Sequence, residues 1–371
     1  MNIVADQNIP LLKEFFSPLG NVVSLPGREI TRDDLMDCSL LIVRSVTKVN
    51  KALLEGTPVK FVGTCTIGLD HIDIDYLNQQ GIRWANAPGC NANGVVQYVL
   101  SAMAALMPDW QNKTVGIIGC GSIGSRLYAR FKKLGVAVKC YDPLLSATEQ
   151  DDLVSFDEAL NSEIITCHIP LTHSGEYSTF HLLNKAAYSK IPNGALIINS
   201  CRGGVLNEKE LLDVLPQKQF KLAIDVWEKE PQLNDEFLNA VHIATPHIAG
   251  YTLEGRENGT SMVYEALLEF LKIEGQAVDD VITNDVVQWQ EQYDNEKSIT
   301  ENLNALLLQC YPMVEDDKRL RAGKQSAQNF GQYFDHLRKN YPHRREYTHY
   351  DFSGLTAKPL LKEKVDIIRN G

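Results

Sequence analysis

The chain reads as two doubly wound domains of parallel β-sheet around a hinged cleft, followed by a small helical module. Three observations predict this. Short apolar runs alternate with amphipathic stretches in two successive series, one long amphipathic stretch separates the series, and the alternation stops beyond Asn284.

In the first series NIVAD, NVVSL, LLIVRS, KFVGT and IRWANAP have strand character, and TRDDLMDC and DHIDIDYLNQQG are expected as helices between them. NANGVVQYVLSAMAALM is the long helical crossing, after which KTVGIIG, AVKCYD, EIITCHI, GALIINS, KLAIDVW and VHIAT supply a second set of strands. Strands that are apolar throughout, separated by helices, belong to parallel sheets covered on both faces. GTSMVYEALLEFLKI then carries the chain back to the first sheet, so the domains are expected at 1–93 with 255–284 and at 94–254. In the remainder, 285–371, NLNALLLQCYPMVEDDKRLR and FGQYFDHLRKN have helical apolar spacing with charged opposite faces that call for a partner surface.

Composition narrows the function. The 371 residues are 44% hydrophobic and 22% charged, with a formal net charge of −11. Such a surface repels a phosphate backbone, which argues against a nucleic-acid partner. No apolar run is long enough to span a membrane, and MNIVADQNIP lacks the basic and apolar regions of a signal peptide, so a cytoplasmic protein is expected. The eight cysteines form no CxxC pair and read as reduced, buried thiols. The histidines show no HxxxH ligand spacing, so no metal is expected.

Chemistry concentrates at the strand ends of the second series. VGIIGCGSIGSRL contains Gly119-x-Gly121-x-x-Gly124 between a strand and a helix, with Ser122 and Ile123 inside the loop. That context suits a Rossmann/flavodoxin-like dinucleotide site, in which glycines admit the pyrophosphate to a helix N-terminus. Asp142, eighteen residues after Gly124, stands where a carboxylate can accept the adenosine ribose hydroxyls. A carboxylate about 4 Å from a 2′-phosphate costs roughly 4 kcal/mol at an effective dielectric near 20, which favours NAD. Arg202 follows the strand ALIIN, Glu230 the strand KLAIDVW, and His247 the strand VHIAT. A guanidinium can hold a carboxylate through two hydrogen bonds. An imidazole oriented by a carboxylate can take the proton of a hydroxyl.

GCGSIG, Asp142, NSCRGG, DVWEKEP and TPHIAG, in this order, resemble the D-isomer-specific 2-hydroxyacid dehydrogenases. VADQNIP, VRSVTKVN, TIGLDHIDID and NAPGCNANGVVQYV, with the tail, extend the resemblance over essentially the whole chain, to members that act on 4-phospho-D-erythronate in pyridoxal-phosphate biosynthesis. The resemblance implies a homodimer, joined through the C-terminal domain, that passes a hydride from C2 of that substrate to NAD. By the same resemblance Arg202 would bind the substrate carboxylate, His247 would be the acid/base, and Glu230 would hold the imidazole. Substrate contacts would fall on Ser45, Thr66 and Tyr251. Cofactor contacts would fall on the glycine loop, Asp142, Thr172, Cys201, Asp225 and Gly250. Gln97 and Cys201 depart from the wider family, which usually has an acid at the first position and often Ala or Ser at the second.

A related 3-phosphoglycerate dehydrogenase would share the same triad, and an NAD-sensing corepressor is the non-enzymatic alternative. The substrate phosphate needs cations of its own. Candidates are Arg44 beside Ser45, and Arg338, Lys339, Arg344 and Arg345 in RKNYPHRREY, with Arg345 expected to reach the phosphate across the dimer.

Overall fold

The computed structural model describes residues 1–146, 152–289 and 293–371. The chain forms two compact units, Met1–Asn91 with Tyr251–Asp285, and Ala92–Gly250 with Val286–Gly371.

The first unit is built on a parallel sheet of β1 (Asn2–Asp6), β2 (Asn21–Leu25), β3 (Leu40–Val43), β4 (Phe61–Thr64) and β5 (Arg83–Ala85), in the order β2-β1-β3-β4-β5. Alternation along a strand sends successive side chains to opposite faces. Val4, Leu41, Val43 and Val62 accordingly enter one apolar cluster, and Ile3, Ala5, Leu40, Ile42 and Phe61 the other. The second cluster is closed by Val263, Tyr264 and Leu267 from the Leu253–Leu271 helix. One expected helix is absent: TRDDLMDC forms only a short 3-10 turn at Asp33–Leu35. The Asp34 carboxylate accepts from the N–H of Thr31 at 2.8 Å and from its hydroxyl at 2.6 Å, a local turn that competes with helix.

The second unit carries β6 (Val115–Ile118), β7 (Val138–Tyr141), β8 (Ile164–Cys167), β9 (Leu196–Asn199), β10 (Lys221–Ile224) and β11 (Ile243–Ala244) in the order β11-β10-β9-β8-β6-β7, all parallel. The winding reverses between β7 and β8 on either side of β6, and open α/β sheets bind ligands beyond the carboxyl ends of strands at such a point. The glycine loop leaves β6 there.

The C-terminal region is packed onto this sheet. Its expected helical stretch is broken at Pro312 into Ile299–Cys310 and Met313–Ser326, because proline lacks the N–H that would continue the ladder. Leu320 and Phe334 join the apolar cluster of Ile197, Leu222 and Ile224. The Met313–Ser326 helix also answers the edge strand: the Asp317 carboxylate accepts from Ala244 N–H at 2.8 Å, while Arg321 donates to the carbonyls of Leu238 at 2.9 Å and Val241 at 2.7 Å. A short parallel pair, β12 (Val287–Gln288) with β13 (Tyr350–Asp351), was not anticipated and lies within the same unit. Among the described residues no helix is long and apolar enough to cross a membrane.

Removing the acceptor of a buried N–H costs about 1–3 kcal/mol. Asp317→Ala should therefore lower the thermal midpoint of the protein, measured by calorimetry, and an unchanged midpoint would show that the carboxylate does not stabilise the β11 edge.

Candidate active site

The glycine loop has the conformation its sequence demands. Gly119 sits at φ +94°, and a Cβ on it would lie 2.5 Å from the carbonyl oxygen of His168. A Cβ at Gly124 would lie 2.0 Å from the Gly119 carbonyl, so that glycine lets the Gly124–Lys133 helix start directly against the loop. Gly121 faces open space, with nothing within 4 Å of where its Cβ would be. Ser122 and Ile123 lead into the helix. Asp142 follows β7, and its carboxylate accepts from Cys120 N–H at 2.9 Å and from Leu144 N–H at 3.0 Å. A carboxylate has about four acceptor positions, so these bonds fix its place beside the loop and leave capacity for ribose hydroxyls. An open glycine face, a helix N-terminus and this carboxylate fit a dinucleotide.

Two further strand ends belong to the same sheet. Beyond β8, Thr172 is tied to Thr179, whose hydroxyl accepts from Thr172 N–H at 2.8 Å. Beyond β9, the Asn199 side-chain oxygen accepts from the Cys201 N–H at 3.2 Å and its thiol at 3.1 Å, while the Asn199 amide donates to the Arg202 carbonyl at 3.0 Å. Arg202 donates through Nη1 to the Cys201 carbonyl at 2.7 Å. Gly203 then allows this loop to reach its neighbour, since a Cβ there would stand 2.0 Å from the Trp227 carbonyl.

Beyond β10, Glu230 is held from both sides. Trp227 N–H donates to Oε1 at 3.0 Å, and Oε2 lies 2.8 Å from His247 Nδ1. The two side chains are 23% and 34% exposed, which protects the pair without sealing it. Burial would raise the Glu230 carboxyl, but the charge and hydrogen bond of His247, the Arg338 charge and the Trp227 N–H together hold it below its ordinary value. An ionised carboxylate only accepts, so Nδ1 carries the proton of this bond and Nε2 is left to exchange one. His247 itself is left-handed, with φ +58°, and its N–H donates to the Asp225 carbonyl at 2.8 Å.

Asp225 is 1% exposed and accepts from the Thr245 hydroxyl at 2.6 Å, Ile248 N–H at 2.8 Å and Ala249 N–H at 2.9 Å. Burial pushes its carboxyl up, against the lowering effect of His247 and these donors. Gly250, also buried, closes the turn. Behind the Glu230 loop lies a cluster that sequence reasoning missed. Glu228 Oε1 accepts from Glu208 N–H at 3.0 Å and lies 2.9 Å from His181 Nε2, and Glu208 accepts from Glu228 N–H at 2.8 Å. Burial, with Glu228 and Glu230 nearby, pushes the Glu208 carboxyl up to about 7.

The remaining candidates lie elsewhere. In the first unit Ser45 is exposed, the Thr66 and Thr64 hydroxyls are 2.8 Å apart, and Arg44 donates to the Tyr251 hydroxyl at 3.3 Å. Arg256, not singled out in the sequence, stands close enough to Arg44 to feel it: burial first, then the Arg44 charge, lowers its pKa. In the second unit the basic run at 338–345 divides. Arg345 is partly exposed, and its carbonyl accepts from the Gln97 amide at 3.0 Å. An acid at position 97 could not donate that bond while ionised. Arg344, expected as a surface cation for phosphate, is instead 6% exposed because its guanidinium is turned inward onto main-chain carbonyls.

Residues 95–249 match the family model for the NAD-binding domain of D-isomer-specific 2-hydroxyacid dehydrogenases, and 285–360 match a domain of unknown function, DUF3410. The chain is 45% identical to erythronate-4-phosphate dehydrogenase of Cellvibrio japonicus (strain Ueda107) over 362 residues, 94% of each chain. It is 42% identical to the enzyme of that name from Saccharophagus degradans over 369 residues, 98% of each. The chain belongs to the erythronate-4-phosphate dehydrogenase family. It is an NAD-dependent dehydrogenase. Among solved structures it is similar to an NAD+-bound 3-phosphoglycerate dehydrogenase from Entamoeba histolytica, with 26% identity and a TM-score of 0.64 over 73% of this chain and 95% of that one.

In this dehydrogenase Asp142→Ala should weaken NAD binding about tenfold or more, the worth of hydrogen bonds to a charged group. It should also narrow the gap between NAD and NADP, because the like-charge repulsion is gone. Fluorescence titration with both nucleotides tests this, and wild-type affinities would remove Asp142 from the cofactor site.

Proposed function

We propose that the protein oxidises 4-phospho-D-erythronate at C2 to (R)-3-hydroxy-2-oxo-4-phosphonooxybutanoate, the step named for its family. The observation that carries the mechanism is the 2.8 Å contact of His247 Nδ1 with Glu230. It fixes the tautomer with Nε2 free to take the C2 hydroxyl proton, and the Glu230 charge balances the imidazolium that results. Bound NAD supplies the acceptor for the hydride that leaves C2. Arg202 holds the substrate carboxylate, which its planar fork matches. Ser45, Thr66 and Tyr251 are assigned to the remaining substrate groups. The glycine loop with Ser122 and Ile123, together with Asp142, Thr172, Cys201, Asp225 and Gly250, is assigned to the dinucleotide.

Purified protein should reduce NAD with 4-phospho-D-erythronate in strong preference to 3-phospho-D-glycerate at equal concentration. A preference for the glycerate ester would keep the mechanism and withdraw the substrate. Oxidation needs neutral imidazole, so kcat should rise with pH through an apparent value that belongs to the His247–Glu230 pair. Glu230 stays anionic throughout that rise because its carboxyl is held low. Glu230→Gln removes the anion that orients the imidazole and balances the imidazolium formed in the reaction, and should reduce kcat. His247→Asn should lose turnover by a factor of about a hundred or more with NAD affinity kept. Retained turnover would show that His247 is not the acid/base.

The phosphate is assigned to Arg44 and Arg345. Arg44→Ala and Arg345→Ala should raise KM for the phosphorylated substrate with kcat less affected, and unchanged KM in both would sink the assignment. We also assign residues 285–371 to homodimer formation and the protein to the cytoplasm, the latter resting on eight cysteines that are held as thiols and not as disulfides. Light scattering should give twice the 41.5 kDa chain mass, and a monomer at assay concentration would refute the dimer.

A further inference from the structure

Arg344 is a buried cation that the proposed reaction does not use. Its Nη2 donates to the carbonyl of Ala249, to that of Ile248 at 3.3 Å and, more weakly, towards Gly94 at 3.5 Å. The guanidinium carbon lies 4.1 Å from the ring centroid of Tyr311, and Tyr341 stands at 5.9 Å. Both tyrosine hydroxyls donate to the buried carboxylate of Asp316, at 2.9 and 2.7 Å.

The Ile248 and Ala249 carbonyls belong to the residues that follow His247, and the N–H groups of those same residues are taken by Asp225. The turn is thus gripped by an anion on its donors and a cation on its acceptors. This grip matters because His247 is left-handed, a conformation that sterics disfavour for a non-glycine residue and that persists only where its surroundings over-determine it. The C-terminal region also reaches the partner of the imidazole. A Cβ at Gly331 would stand 3.2 Å from the Pro231 ring, next to Glu230, and Arg338 is among the charges that hold that carboxyl low.

We infer that Arg344 is a positioning residue for catalysis: by clamping the Ile248 and Ala249 carbonyls against the Asp225 carboxylate it holds the His247 imidazole in line with Glu230. The inference rests on His247 being the acid/base. It gives the C-terminal region a part in catalysis that is separate from any part in assembly. The fit is specific to arginine, since a lysine carries one compact charge that cannot both reach the main-chain carbonyls and stack flat on Tyr311.

The test compares Arg344→Lys and Arg344→Met with His247→Asn in the full-length protein, since Arg344→Ala alone could fail to fold. Each variant is measured for NAD affinity, kcat, its pH profile and the isotope effect with substrate deuterated at C2. Displacing a reacting group by about 1 Å costs on the order of a hundredfold in rate. Arg344→Lys and Arg344→Met should therefore lower kcat at least about tenfold, with NAD affinity nearly unchanged, a larger isotope effect and a displaced pH limb. A purely structural role would reduce only the folded fraction, so kcat would fall in proportion while the isotope effect and limb stayed fixed, and that result overturns the inference. Wild-type kinetics in both Arg344 variants would overturn it as well. Turnover surviving in His247→Asn would instead refute the reading of His247 on which it rests, so the two failures are separable.

Discussion

A carboxylate shut away from water organises the candidate-site end of the larger sheet. Asp225 is 1% exposed, and a buried anion must be met by donors or protonated. The parallel register Ala223↔Ile243 and Ile224↔Ala244 sets Thr245 beside it, and its other donors come from the two peptides beyond His247. Satisfying that charge bends the chain back over the strand end. The bend delivers His247 Nδ1 to Glu230.

Close approach of main chain is the second constraint. Gly203 lets the Arg202 loop lie against Trp227, and Gly124 lets the helix begin on the Gly119 carbonyl. Trp227 is the shared support: its N–H orients Glu230, and its indole donates to the Thr245 carbonyl at 3.0 Å, one residue before Pro246 and two before His247. Arg202, Glu230 and His247 therefore depend on one short stretch of strand β10 and its loop, although they come from three separate motifs.

The two ends of the site differ in how they can be read. The glycine loop, Asp142, Arg202, Glu230 and His247 are legible because each is a local pattern at the end of an apolar strand, and parallel topology brings strand ends together whatever the helices do. Arg344, Arg256 and the Glu208–Glu228–His181 cluster are not. An arginine in RKNYPHRREY looks the same whether it faces water or a main-chain carbonyl, and only the tertiary placing of the Tyr311 ring and the Ile248 and Ala249 carbonyls around Arg344 shows it turned inward, with Arg345 left partly exposed. The same limit explains TRDDLMDC, where a side-chain bond from Thr31 to Asp34 outweighs helix propensity.

By itself, the amino-acid sequence determined two parallel α/β sheets, a glycine loop of dinucleotide type with a carboxylate at the next strand end, and the order of the candidate site residues. These follow from short-range rules: period-two and helical spacing, glycine where the main chain must come close, and charge at strand ends. Tertiary structure alone decided which buried charges oppose one another. The pairing of Asp225 with the His247 turn, the grip of Arg344 on its far side and the capping of the β11 edge by Asp317 all join residues distant in the chain, and such contacts leave no local pattern to read.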